Sequence, residues 1–197
     1  MNTAEITELA ATWCRMWNQD SALAHQLMTD DCVQWFADGP DLDSVVGPAQ
    51  QEAFVTAARA RLGNIFVPRL YVIDGDTFAY LWDVRSADAT VMTGIDVNVQ
   101  HGRRIKENWT FAGPHRDEPD PPPGDLLERD VLAAEASKWA QAKGYAVHRQ
   151  LIVDVASGRV AMLRTTSAGI GGVDILTVRD GVVDPIWSVT GTRAFRY

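Results

Sequence analysis

The chain has 197 residues, is 46% hydrophobic and 22% charged, and carries a net charge of −8. This composition suits a protein that buries a core and excludes disorder along its whole length. The acidic balance, with its cations scattered, argues against nucleic acid as a partner. No apolar run approaches the roughly 20 residues of a membrane helix, and residues 1–20 hold no signal-peptide stretch. No membrane partner and a cytoplasmic location are therefore expected.

Ile6, Leu9, Ala10, Trp13 and Trp17 recur at three- and four-residue intervals and predict a helix over residues 3–18. A short second helix carries Leu23 and Leu27. Residues 32–36 are rich in strand formers, and 37–43, with Asp38-Gly39-Pro40, read as a loop. Gly47-Pro48 opens a third helix, where the missing proline N–H has no bond to lose. Phe54, Ala58 and Leu62 share its face and Gly63 ends it. Strands follow at 66–74 and 77–85 across the turn Asp74-Gly75-Asp76, then at 90–99 and 105–111 across His101-Gly102. Helices followed by a long antiparallel sheet define an α+β unit.

Residues 114–124 contain five prolines and four charges and read as a semi-rigid linker. A fourth helix follows, with Asp125 as its expected N-cap, Leu132, Ala136, Trp139 and Ala140 on one face, and Gly144 as its stop. Four more strands are predicted at 147–155, 159–166, 172–178 and 182–189.

The two halves repeat. Arg69 to Asp74 parallels Arg149 to Asp154, and Gly94-Ile95-Asp96-Val97 parallels Gly172-Val173-Asp174-Ile175. Trp109 follows Asp96 by 13 residues, as Trp187 follows Asp174. The second unit lacks two helices and the first strand. The predicted organisation is a pocket domain over 1–113, a linker over 114–124 and a truncated helix-plus-sheet repeat over 125–197. Cys14 and Cys32 read as buried free thiols. Neither they nor His25, His101, His115 and His148 have ligand spacing, so no metal is expected.

Trp17-Asn18-Gln19-Asp20, Leu27-Met28-Thr29-Asp30-Asp31, Val46-Gly47-Pro48 through Phe54, and Gly94-Ile95-Asp96 before Trp109 together resemble the nuclear transport factor 2-like superfamily, in its SnoaL-like, polyketide cyclase-like branch. The resemblance implies a cystatin-like roll, a cone-like curved antiparallel sheet wrapped around helices. It also implies a pocket between sheet and helices that works without a cofactor. Dimerisation through outer sheet faces in that superfamily implies a pseudo-dimer within this chain, with room left for a homodimer.

Asp96 is the expected catalytic residue. Its place resembles that of an isomerase carboxyl that donates a hydrogen bond to the substrate oxyanion, and burial would favour its neutral form. Trp13, Trp35, Phe54, Tyr80, Trp82 and Trp109 are the expected ligand walls, with Asn98 or Tyr80 helping to hold an oxygen. The isomerase base falls near Phe36, with Asp38 two residues on, and the isomerase tyrosine falls at Trp13, so steroid isomerisation is not expected. An arginine–aspartate pair for activating water would draw on Arg69, Arg85 or Arg103. The expected function is a small-molecule pocket protein, a cyclase, isomerase or hydrolase acting on an apolar polyketide-like ligand. The alternative is a noncatalytic ligand-binding or scaffold protein, in which Asp96 and Asp174 only hold the fold.

Overall fold

The computed structural model describes residues 3–38, 43–62, 65–85 and 90–195. Gly39, Pro40, Gly63 and the side chain of Leu62 lie outside the described residues. Helix α1, Thr3–Asn18, buries Ile6, Leu9, Ala10, Trp13 and Met16 along one stripe. It ends where Asn18 takes over the backbone of Phe66. The Asn18 amide Nδ2 donates to the Phe66 carbonyl, and the Phe66 N–H donates to Asn18 Oδ1, both at 2.7 Å. The expected second helix divides into a single 3₁₀ turn, Ser21–Leu23, and α2, Ala24–Leu27. The Asp20 carboxylate caps the turn by accepting the Ala22 N–H at 3.1 Å.

The first sheet has the order β2-β1-β6-β5-β4-β3. Its strands are β1 (Met28–Phe36), β2 (Ser44–Val46), β3 (Ile65–Asp74), β4 (Thr77–Arg85), β5 (Thr90–His101) and β6 (Arg104–Pro114). β1 begins four residues before the expected 32–36, because the strand continues through Asp30 and Asp31, whose side chains are otherwise depleted in strands. β1 and β6 run parallel; the other pairs are antiparallel. Helix α3 is Gly47–Leu62. Gly47 has φ +73°, and a Cβ there would strike the Asp30 carbonyl, so glycine is required at the start of this helix.

Residues 115–128 form no helix or strand but are tied down along their length. Asp120 pairs with Arg69 at 2.8 Å, and Arg159 and Arg179 donate to the carbonyls of Pro121, Pro122 and Pro123. Helix α4 is Arg129–Ala142, with Glu128 at its N-cap position. Asp125 does not cap it. Its carboxylate instead accepts the Asp180 N–H at 2.7 Å, fixing the incoming chain to the far hairpin. The second sheet is an antiparallel meander of β7 (Ala146–Asp154), β8 (Arg159–Thr165), β9 (Gly171–Arg179) and β10 (Val182–Thr190).

The layers follow from three buried clusters. α1 and Val55 of α3 pack on one face of the first sheet, against Phe78, Tyr80, Trp82 and Val84. Its opposite face (Trp35, Leu70, Val72, Leu81, Ile95, Val97, Trp109, Phe111) packs with Ile152, Ala161, Leu163, Val173, Ile175 and Ile186 of the second sheet. Leu132, Ala136 and Ala140 of α4 cover the second sheet's far face. The repeat extends to the ladder. Trp109 stands opposite Val97, and Trp187 stands opposite Ile175. At the seam β3 and β7 exchange matched bonds. The Ile73 N–H donates to Asp154 at 3.2 Å and the Val153 N–H to Asp74 at 3.1 Å.

Candidate functional site

Alternation along β4 and β5 turns Tyr80, Trp82, Gly94, Asp96 and Asn98 toward the helices. There α1 supplies Trp13, Cys14 and Trp17, and α3 supplies Phe54 and Ala58. Gln34, Phe36, Phe66, Met92 and Thr110 complete a cavity of about 200 Å³ with Tyr80, Trp82 and Asp96. Aromatic contacts run around it from Phe36 to Phe54, Trp17, Phe66 and Trp82, at centroid separations of 5.0–5.7 Å. Trp82 lies across Gly94, where any Cβ would overlap its ring. The space is below the roughly 300–1,000 Å³ of drug-sized sites. It suits a body of one or two rings.

Asp96 is 4% exposed. Tyr80 Oη donates to its Oδ2 at 3.0 Å, and Oδ1 has no partner among the described residues. Burial pushes the carboxyl above its ordinary range, while the polar groups of Trp82, Tyr80, Thr110 and Asn108 pull it back only in part. Trp82 Nε1 faces the carboxyl without completing a hydrogen bond of good geometry. Burial, and then the neighbouring Asp96 charge, raise the Tyr80 phenol well above its usual value, so it remains a neutral donor. The same two causes push the Cys14 thiol up to about 12.

A polar chain runs beside the carboxyl. Gln34 donates to Thr110 at 2.9 Å, Thr110 to Asn108 at 2.7 Å and Asn108 to Asn98 at 2.8 Å. Four residues lining the cavity carry buried polar atoms without a partner among the described residues: Trp13 Nε1, Trp82 Nε1, Gln34 Oε1 and Asp96 Oδ1. Such atoms are rare in native proteins and mark places where a bound group or water completes the bonding. Two donors and two acceptors there suit a ligand carrying both a carbonyl and a hydroxyl or N–H.

Trp13, Phe54, Tyr80, Trp82 and Asp96 thus come together. Asn98 is buried beside them but is held by Asn108 and does not line the cavity. Trp35 and Trp109 stand on the opposite face of the sheet, packed against each other at 5.6 Å within the layer shared with the second sheet. Alternation points to what sequence reasoning missed. Gln34 and Phe36 flank Trp35, and Asn108 and Thr110 flank Trp109, so these four face the helices. Asp38 does not line the cavity. The arginines considered for Asp96 are elsewhere. Arg69 binds Asp83 and Asp120, Arg103 binds Glu5, and Arg85 is exposed at the end of β4. Among the described residues, no cation pairs with Asp96 and no group of His, Cys, Asp or Glu could hold a metal ion.

The matching place in the second half is filled differently. Met162 stands opposite Asp174 as Tyr80 stands opposite Asp96, and Arg164 stands opposite Gly172 as Trp82 stands opposite Gly94. Arg164 Nε donates to Asp174 Oδ2 at 2.6 Å, with both side chains buried, and its guanidinium lies 4.1 Å from the Tyr145 ring centre.

No family model and no curated protein matches the sequence. Among solved structures, a protein of unknown function with a cystatin-like fold from Methylobium petroleophilum PM1 aligns with 59% of this chain and 82% of its own. The identity is 20% and the TM-score 0.52. The chain has the cystatin-like fold. Looser likenesses to this cystatin-like roll include an NTF2-like protein of unknown function from Mesorhizobium loti (18% identity, 56% of this chain and 93% of that one, TM-score 0.47). Another is a protein provisionally named a polyketide cyclase from Sinorhizobium meliloti (14% identity, 56% of this chain and 100% of that one, TM-score 0.46). A shared cystatin-like roll fixes no activity. Among the described residues, no helix is long and apolar enough to cross a membrane.

Proposed function

We propose that this chain binds a compact, apolar, polyketide-like molecule in the helix-covered cavity and moves a proton on it through Asp96. The observation that carries this reading is a buried carboxyl with one oxygen unpartnered and no cation on it, in an aromatic cavity that holds no other carboxylate, all among the described residues. A buried carboxyl held above its ordinary range is a stronger base than a solvated one and gives up its proton less readily, which suits it to taking and returning a proton. In the reaction envisaged, Asp96 Oδ1 takes a proton from the carbon beside a ketone, and the electron pair moves onto the ketone oxygen. An indole N–H from Trp13 or Trp82 steadies that oxygen. Return of the proton to the far carbon of a conjugated enolate gives isomerisation. Attack of the enolate carbon on a second carbonyl of the same molecule, whose oxygen takes the displaced electron pair and then the proton from Asp96, gives ring closure. Both proceed without a cofactor. The reading includes residues 1–113 as the pocket unit and 125–197 as a repeat that caps its outer sheet face, a pseudo-dimer within one chain. The matched Asp74 and Asp154 bonds support this, because a two-fold interface makes each contact twice.

The second reading, ligand binding without chemistry, is favoured by Phe36, which stands where the resemblance would require a base. One experiment separates the two. The protein is mixed with 1-tetralone in D₂O, and exchange of the protons beside the ketone is followed by NMR. Proton transfer predicts faster exchange with the wild type, none above background with Asp96→Asn, and retained binding in both. Binding without exchange in either protein leaves the carrier reading.

A further inference from the structure

The layer between the two sheets is not closed throughout. A cavity of about 410 Å³ opens between β4, β5 and β6 on one side and β7 and β8 on the other. Its walls are Val97, Val99, Trp109, Ile152 and Leu163, and its polar groups are Thr77, Gln150 and Arg149. The volume lies within the usual small-molecule range. Among the described residues, Arg149 is the only charged one that lines it. A smaller cavity of about 280 Å³ adjoins it and shares Trp109 and Arg149. Asp31, Lys106 and Glu107 stand on that side.

Arg149 is held in an unusual way. It has φ +64°, a region that a residue with a Cβ seldom adopts. It lies within the irregularity in β7 between His148 and Ile152. That conformation places its guanidinium 5.1 Å from the Trp109 ring centre, with one Nη on Glu107 at 2.6 Å. Strain of this sort persists where its surroundings over-determine it, and it is found at ligand clamps. Trp109 is buried, and its Nε1–H has no partner among the described residues.

We infer that this seam is a second binding site, for a medium-chain carboxylate. The aliphatic walls take the chain and Arg149 takes the head. Glu107 occupies one Nη and leaves the rest of the guanidinium fork for a carboxylate, with Trp109 Nε1–H as a further donor. An apolar tail suits Val97, Val99, Ile152 and Leu163. A cationic ligand would find no acid among the described residues lining the larger cavity, since Glu107 stands on the side of the smaller one. The site does not depend on the proton-transfer reading, because none of its lining residues lines the helix-covered cavity.

Calorimetric titration with octanoate and 1-octanol tests it. The wild type is expected to bind octanoate at least tenfold more tightly than the alcohol. Arg149→Gly removes that preference; glycine accepts the positive φ, which offsets part of the loss of the Glu107 pair, and a cooperative melt shows that the variant folds. Arg149→Asn, also tolerated there, is the second variant. Val99→Trp, at the rim, weakens both probes at least tenfold, and Trp82→Ala in the other cavity changes neither. The inference is overturned by absence of octanoate binding at millimolar concentration or by equal affinity for acid and alcohol. It is likewise overturned if the preference persists in both Arg149 variants, or if Trp82→Ala rather than Val99→Trp removes binding.

Discussion

Asp74 and Asp154 lie at equivalent places in the two repeats, and each accepts a backbone N–H from the strand of the other. Only Asp74 also holds a cation, Arg129, through both carboxylate oxygens. Burial opposes its charge, but Arg129 and the Val153 N–H outweigh that and hold the carboxyl below its ordinary range.

A depressed carboxyl stabilises the folded chain above its unfolded value of 3.8 and loses that contribution as pH falls. Asp74→Asn should therefore lower the melting temperature at pH 7, at a cost of about 1–3 kcal/mol for the bonds lost. The gap from wild type should narrow as pH drops below 4. Thermal melts across pH 3–8 check both the sign and the window.

Asp96 has the opposite sign. Its carboxyl is raised, so its ionisation weakens the fold as pH climbs from the unfolded value of 3.8 through the higher folded one. Asp96→Asn keeps the acceptor for Tyr80 and removes the charge. It should melt at or above the wild-type temperature at pH 7–8, with the advantage gone by pH 3. A lower melting temperature at neutral pH would mark Asp96 as a structural acceptor.

Arg164 and Asp174 should behave as one unit. Asp174→Asn leaves a buried guanidinium without its counter-charge, and breaking a buried pair in this way costs roughly 3–5 kcal/mol. Replacing both, as Arg164→Met with Asp174→Leu, should restore most of that loss or exceed it. Denaturant unfolding of the single and double variants measures the coupling. A double variant no more stable than Asp174→Asn would overturn this account.

The glycine under Trp82 gives a steric test of the helix-covered cavity. In Gly94→Ala the new methyl overlaps the indole and forces it into the space a ligand would use. Such overpacking costs about 1–3 kcal/mol. Gly94→Ala and Trp82→Ala should both lose affinity for 2-naphthol by calorimetry. Met162→Ala, at the matching place of Tyr80 in the second half, should lose stability through its cavity but keep affinity.

Both thiols should be inert in the folded protein. Burial pushes Cys14 and Cys32 up to about 12, so each remains protonated and a poor nucleophile near pH 8. A colorimetric disulfide reagent should label neither thiol in buffer and both in guanidinium.

Element type was legible where a periodic pattern met a boundary residue, as with α1 ending at Asn18 or the hairpin at Gly75. The face toward which an aromatic points was harder to read. In most sheets hydrophobicity tells the inner face from the outer. Here β4 is buried on eight consecutive residues, because helices cover one side and the second sheet covers the other. Trp35 and Trp109 therefore look like pocket residues by composition and stand in the other layer. The parallel pairing of β1 with β6 joins residues more than 70 positions apart, and no local pattern encodes such a partner. The replacement of Trp82 by Arg164 became readable only from the ladder, since the repeat carries Asp174 but not its neighbour across the strand.

The apolar layer between the sheets also bears on how the chain is made. A ribosome releases the first sheet with Leu70, Leu81, Ile95, Trp109 and Phe111 before β7 exists to cover them. At about 5–20 residues per second, the 83 residues after Pro114 take roughly 4–17 s to follow. During that interval the nascent chain presents a wide sticky face to other nascent chains. Synthesis slowed within residues 115–128 would lengthen that exposure, and a holding chaperone would find its substrate there.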